Sequence, residues 1–549
     1  MFTFSVFTNY WPRCMSWLFT DTYQLLPMTS PISRLPPEIL DHIFSFINLP
    51  TSSPSTGKRG RFVCLGAAHV CHHWREIALN QPRFWGYIDF TAITWAGATE
   101  MLVRSKEAPL HLVVNFSRPN AHWNPERKYT FRKLFVAHIY RIHSLILSSD
   151  PIRLLQAVGR LAAPAHESLS SYAGGESSSD RETPPQIPPT TLSNSAALRL
   201  IRLELDHCYL SWGSPILKGL LHLKLLYDGD EKRPNLQSWL DAMRELSQLE
   251  SLVVHSATPI ASRIVVPISE RVQTVTLPYL TQLRVSDSAN CCALALAHLV
   301  LPALVRLRVD AVSFHANAAD IRTVVPHFVR NVHGPQDTMP LQSMVISGCS
   351  TRTDILLWTV PNADAEYRDS DSFAQASSSA RATFTALCPS WGIPTSNAVC
   401  DAVLGALPTS SLATLTVSDS MKVPREFWPA TAPRWPSLER VRLGLTNLTP
   451  FSRALTEDGH LKSPLFPSLT KLFITGSSLT TDIAVLVRNM VLARTKQGVP
   501  IQTLDLSECV VPKGSTRYFR KLVTDLREPA RPSVPQEPNT TCSPCLIGI

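Results

Sequence analysis

Leu280-Thr281-Gln282-Leu283-Arg284-Val285 and Leu304-Val305-Arg306-Leu307-Arg308-Val309 are two copies of one hexad, L-x-x-L-x-L. Its last four positions alternate polar and apolar residues, the period of a strand that buries one face. The hexad recurs at Ile142/Leu145/Leu147, Leu200/Leu203/Leu205, Leu220/Leu223/Leu225 and Leu249/Leu252/Val254. Beyond Leu304 it returns at Leu341/Met344/Ile346, Leu412/Leu415/Val417, Leu438/Val441/Leu443, Leu469/Leu472/Ile474 and Ile501/Leu504/Leu506. A single hexad means little, because leucine is common. A series along the chain predicts a repeated strand. The step from Leu341 to Leu412 is far longer than the others and predicts an insertion or a degenerate unit there.

The segments between hexads read as helices. Leu236, Trp239, Leu240, Met243 and Leu246 make one apolar stripe; Ile483, Leu486, Val487, Met490 and Val491 make another. Pro302, Pro436 and Pro467 each stand two residues before a strand unit, where proline removes no interior ladder bond. Strand-then-helix units of this kind resemble irregular leucine-rich repeats, without the Asn that regular units carry after the strand. The fold class expected is α/β, with a curved parallel sheet inside a solenoid and helices outside.

Upstream stands a different pattern. Pro36 and Pro37 with Glu38 suit a first helical turn, and Ile39, Leu40, Ile43, Phe44 and Ile47 follow at helical spacing. A second helix is expected through Val70, Cys71, Trp74, Ile77 and Ala78, closed by Pro82 and followed by Phe84 and Trp85. Leu35-Pro36-Pro37-Glu38-Ile39-Leu40, Ile43-Phe44, Val70-Cys71-His72-His73-Trp74-Arg75 and Trp85 resemble an F-box. That resemblance implies docking on the Skp-type adaptor of SCF ubiquitin ligases through Leu35, Pro36, Ile39, Leu40, Ile43, Val70, Cys71 and Trp74. The Ser/Thr/Pro/Gly-rich stretch 48–61 departs from the short connection usual in the family and reads as a loop. An F-box followed by irregular leucine-rich repeats is itself a family arrangement, and the chain is similar to its fungal members.

The 549 residues divide into an N-terminal extension 1–31, an F-box-like domain 32–90 with the insert 48–61, and a connecting region with a first repeat, 91–163. A disordered insert 164–195, a repeat array 196–527 with a second insert at about 364–380, and a tail 528–549 complete the expectation. With 44% hydrophobic and 17% charged residues, the chain supports a large core. Its 12 Cys show no disulfide spacing and its N-terminus lacks a basic leader, which together point to cytoplasm or nucleus. No phosphate-cradling loop or nucleophile elbow is present, so no catalytic residue is assigned, no cofactor is expected, and the chain is not read as an enzyme. Cys64, His69, Cys71, His72 and His73 are zinc-type ligands, but no second ligand pair stands at a matching distance. Cys542 and Cys545 form a lone C-x-x-C in the tail, without redox context. The net charge of +9 raises nucleic acid as a partner, yet the basic residues are dispersed, Lys58 to Arg61 excepted.

Alternation sends the residues beside the middle leucine to the face opposite the core. Arg202, Lys224, Arg284, Arg306, Arg308, Arg440, Arg442 and Lys471 occupy such places and are expected to hold a target protein, acidic or phosphorylated, on the concave face. The expected function is a substrate-recognition subunit of an SCF-type ligase. The alternatives are a protein-interaction scaffold outside a ligase and a basic repeat protein that binds nucleic acid.

Overall fold

The computed structural model describes residues 35–47, 70–90, 93–115, 125–148, 186–187, 200–206, 209–210, 212–227, 233–260, 273–313, 319–333, 340–349, 351–361, 379–387, 393–457, 464–512 and 514–528. The chain divides into two compact units, Met1–Val114 with Arg141–His143, and Asn115–Tyr140 with Ser144–Ile549.

In the first unit, α1 (Pro37–Ile47) opens on proline with Glu38 in its first turn. Leu40 and Phe44, one turn apart, are fully buried. The Phe44 ring lies 5.1 Å from Trp74 of α2 (His72–Asn80) and 5.4 Å from Phe84. Cys71 does not continue the apolar face of α2, as its place in the sequence pattern suggests. It is the N-cap, in extended backbone, with Sγ accepting from the Trp74 amide at 3.5 Å. Pro82 starts a 3-10 turn, Pro82–Trp85, and Trp85 Nε1 donates to the Ala78 carbonyl at 2.7 Å. A parallel pair then forms from β1 (Tyr87–Asp89) and β2 (Leu110–Asn115), with α3 (Trp95–Arg104) between them. A Cβ on Gly86 would meet the Pro109 carbonyl at 2.4 Å, so only glycine fits this approach.

The second unit opens with α4 (Pro125–His138) and is dominated by a mostly parallel sheet. Its strands are β3 (Ile142–Ser148), β4 (Arg202–Asp206), β5 (His222–Leu226), β6 (Ser251–His255), β7 (Gln282–Ser288) and β8 (Arg306–Val312). They continue with β9 (Ser343–Cys349), β10 (Arg352–Trp358), β11 (Ala382–Leu387), β12 (Thr414–Val417), β13 (Arg440–Gly444), β14 (Lys471–Ser478), β15 (Thr503–Val510) and β16 (Asp525–Arg527). Every hexad read from the sequence is a strand of this sheet. The register lines up their middle residues: Leu145, Leu203, Leu223, Leu252, Leu283 and Leu307 are successive cross-strand partners. The row runs on through Ala382, Leu357, Met344, Leu415, Val441, Leu472 and Leu504. All of these are buried. At about 1.5–3 kcal/mol for each large apolar side chain removed from water, this row is a principal source of stability.

Helices cover that apolar face. They are α5 (Leu236–Glu245), α6 (Ala289–Ala297), α7 (Ala319–His333), α8 (Ile393–Ala406), α9 (Leu445–Glu457) and α10 (Thr481–Lys496). α6 and α7 pack on β8, α8 on β10 and α9 on β13. Phe328 of α7 meets Phe384 of β11 at 5.1 Å. Both helices expected from apolar stripes are present, capped by the Asn235 and Thr480 side chains.

One sequence expectation needs correction. The sheet is not wholly parallel. After β8 the chain travels through α7 to β9, returns antiparallel along β10, and only then lays β11 against β8, giving the order β8-β11-β10-β9-β12. An antiparallel partner needs only a tight turn, here between Cys349 and Arg352, whereas a parallel one needs a long crossover. β10 and β11 are the content of the long step from Leu341 to Leu412. Ala380 is buried with Val345, Leu356 and Trp358, and Gln186–Ile187 pairs with Tyr209–Leu210. The extension 1–31, the loop 48–61 and the tail from 529 lie outside the described residues, as does most of both inserts.

Candidate protein-interaction surfaces

α1 presents two apolar edges. Leu40 and Phe44 point inward, while Ile39 and Ile43, also one turn apart, are 47% and 37% exposed. Val70 is 60% exposed and Pro36 is exposed; Leu35, Cys71 and Trp74 are half-buried. The eight residues expected at the adaptor surface therefore split. Ile39, Ile43, Val70 and Pro36 are accessible, Leu35, Cys71 and Trp74 are partly so, and Leu40 belongs to the core that holds α1 in place. A hollow between α1 and α2 is lined by Pro37, Glu38, His73, Glu76, Ile77 and Gln81. Of the cysteine–histidine cluster, Cys64 and His69 lie outside the described residues, Cys71 caps α2, and His72 faces Glu76 at 3.7 Å.

The second surface is the polar face of the sheet. Register places Arg202 beside His222, Glu204 beside Lys224, Arg284 beside Arg308, Arg440 beside Lys471 and Arg442 beside Phe473. All eight basic residues expected to hold a target project here, but they do not form one continuous stripe. Acids share the face. Arg202 Nε donates to Glu204 at 2.8 Å, and Lys224 Nζ reaches the other Glu204 oxygen at 3.4 Å. Arg284 and Arg308 both bind Asp310, at 3.0 Å each. Arg442 pairs with Glu508, and the Arg440 guanidinium lies 5.3 Å from the centre of the Phe473 ring. Between these groups Val345, Leu356 and Trp358 interrupt the charge with a buried apolar patch.

Glu204 and Asp505 flank middle leucines and are legible from the hexads; Asp310 and Asp354 lie outside those flanking positions, although a signal for them was present. Arg202-x-Glu204, Arg308-x-Asp310 and Arg352-x-Asp354 repeat one spacing, and alternate residues of a strand share a face. Arg352 Nε donates to Asp354 at 2.7 Å and the Thr385 hydroxyl donates to Asp354 at 2.8 Å. Burial raises the Asp354 pKa, with Asp310 adding to the rise; the Arg352 and Thr385 hydrogen bonds oppose it. Burial, then the neighbouring Arg202, lowers the pKa of His222.

Residues 32–91 match the F-box-like family. The chain thus carries an F-box-like domain, and the exposed isoleucines of α1 lie within it. No curated protein matches the chain. Among the described residues no helix is long and apolar enough to cross a membrane.

Proposed function

We propose that the chain is a substrate-recognition subunit of an SCF-type ubiquitin ligase. The F-box-like domain docks the Skp-type adaptor, the sheet domain holds a target protein, and the transfer chemistry belongs to other subunits. The second unit is read as an irregular leucine-rich-repeat array of the fungal type, working in cytoplasm or nucleus. The observation that carries this reading is the pair Ile39 and Ile43, exposed on a helix whose own core is already filled by Leu40 and Phe44. Interface energy concentrates in a few apolar anchors of this kind. Co-purification of the tagged full chain tests it: the adaptor and a cullin are expected together, and Leu35→Ala with Pro36→Ala should abolish both while the melting transition stays in place. A chain that recovers neither protein is not a ligase subunit.

A further inference from the structure

β16 (Asp525–Arg527) is the last strand of the sheet, with one neighbour, β15. Among the described strands none pairs with its outer edge. The Asp525 amide donates inward to the Gln502 carbonyl at 2.9 Å. Backbone groups of successive strand residues point to alternate sides, so Leu526 turns both its amide and its carbonyl outward. An open edge of this kind is a template for another strand. We propose that this edge pairs with the same edge of a second copy of the chain, antiparallel, about a two-fold axis between the facing Leu526 residues.

Three features carry the assignment. The first is the backbone. Residues that face each other in a hydrogen-bonded antiparallel pair exchange both N–H···O bonds, so Leu526 of each copy donates to and accepts from the other. The second is charge. In that register Asp525 of one copy faces Arg527 of the other, and the two-fold axis repeats the pair. Both side chains lie on the polar face, Arg527 58% and Asp525 51% exposed. Among the described residues Arg527 pairs with Asp505 at 3.6 Å and with Asp525 at 3.4 Å. Long contacts between exposed groups hold little energy, so they exchange readily for contacts across the axis. Edges kept from pairing carry lysine or other charge that repels its own copy. Asp-Leu-Arg is instead complementary to itself. Outside the triplet, Thr524 faces Glu528, which Arg520 holds at 2.7 Å, so no like charges meet. The third is apolar area. A repeat array that ends in water needs a terminal unit with a polar outer face. Here the terminal unit leaves Val510 65% and Tyr518 59% exposed.

The test is sedimentation equilibrium of the full chain between about 1 and 100 µM, the range open to a small, reversible interface. Wild-type protein should pass reversibly from monomer towards dimer as concentration rises. Asp525→Arg makes both charges of the edge positive and Arg527→Asp makes both negative, so each variant alone should dimerise at least roughly tenfold more weakly. Mixed in equal amounts, the two variants are complementary at both pairs and should form a heterodimer within about threefold of the wild-type affinity. Recovery in the mixture separates edge pairing from a loss of fold, which neither variant corrects in the other. Wild-type protein that stays monomeric throughout overturns the proposal and gives the edge to another occupant, the segment 529–549 included. Variants that each dimerise like the wild type place the interface elsewhere and overturn it too. A mixture that stays monomeric overturns the pairing of Asp525 with Arg527, and the proposal with it.

Discussion

Ile39 and Leu40 are consecutive residues of one helix with opposite roles. Leu40 is fully buried, whereas Ile39 is 47% exposed. Leu40→Ala should cost about 2–5 kcal/mol of stability in denaturant unfolding. Ile39→Ala should stay within about 0.5 kcal/mol and still weaken adaptor binding. Helical spacing marks all five apolar residues of α1 as one broad face. Only the aromatic cluster of Phe44, Trp74 and Phe84 decides which half turns inward. A second residue gives a pH signature. Burial holds the His222 pKa below its ordinary 6.5, so the unfolded chain takes up the proton first as pH falls. Stability from this group is full above pH 6.5 and drains away below it. His222→Gln should reduce the fall in melting temperature between about pH 7.5 and 5.5; parallel curves for the two proteins would refute the assignment. Arg494 is buried and its pKa is lowered by burial to about 10, so it stays charged at neutral pH. Its guanidinium donates to the carbonyls of Phe466 at 3.0 Å and Leu469 at 3.1 Å. Arg494→Met should cost about 1–3 kcal/mol for each carbonyl left without a donor, read by thermal melting.

At the scale of elements, the strands were legible and their order was not. Alternation is local, so each hexad announces its own strand and buried face. Which neighbour a strand meets depends on a distant segment, and the antiparallel β10 has no hexad at all. No strand unit carries Asn at its ninth position, yet polar or sulfur side chains there and one place beyond bond to neighbouring backbone. Cys509, eight residues after Ile501, is buried, with Sγ donating to the Ile474 carbonyl of β14 at 3.2 Å. One place beyond that position in its own unit, Asn447 is buried and accepts from the Val423 amide at 2.9 Å while donating to the Ser418 carbonyl at 2.9 Å. The same junction explains a glycine. A Cβ on Gly444 would lie 2.4 Å from the Asp419 Cα. Gly444→Ala should therefore displace backbone and cost about 1–3 kcal/mol, visible as a lower melting temperature. The segment 48–61 makes the contrasting case. Loop length carries little entropic cost, so a short Gly/Ser connection in its place should leave folding and adaptor binding nearly intact in a melt and a pull-down.

For the whole molecule, the sequence showed two kinds of surface and the structure changed the character of one. The F-box-like helices were legible because proline, glutamate and the aromatic pair mark their ends. The basic face was legible as positions but not as charge, because Glu204, Asp310 and Glu508 answer most of the arginines across or along strands. The basic residues of this face thus stand in local clusters with acids and not in a uniform stripe. The central claim is that the first unit exists to hold an adaptor through the outer edge of α1. The most direct measurement is the affinity of the purified full chain for the Skp-type adaptor, wild type against Ile39→Asp with Ile43→Asp, with melting curves for both. The account predicts stable binding by the wild type and a loss of at least roughly a hundredfold in the variant at an unchanged melting temperature. Wild-type protein that does not bind the adaptor, or a variant that binds it equally well, would contradict it.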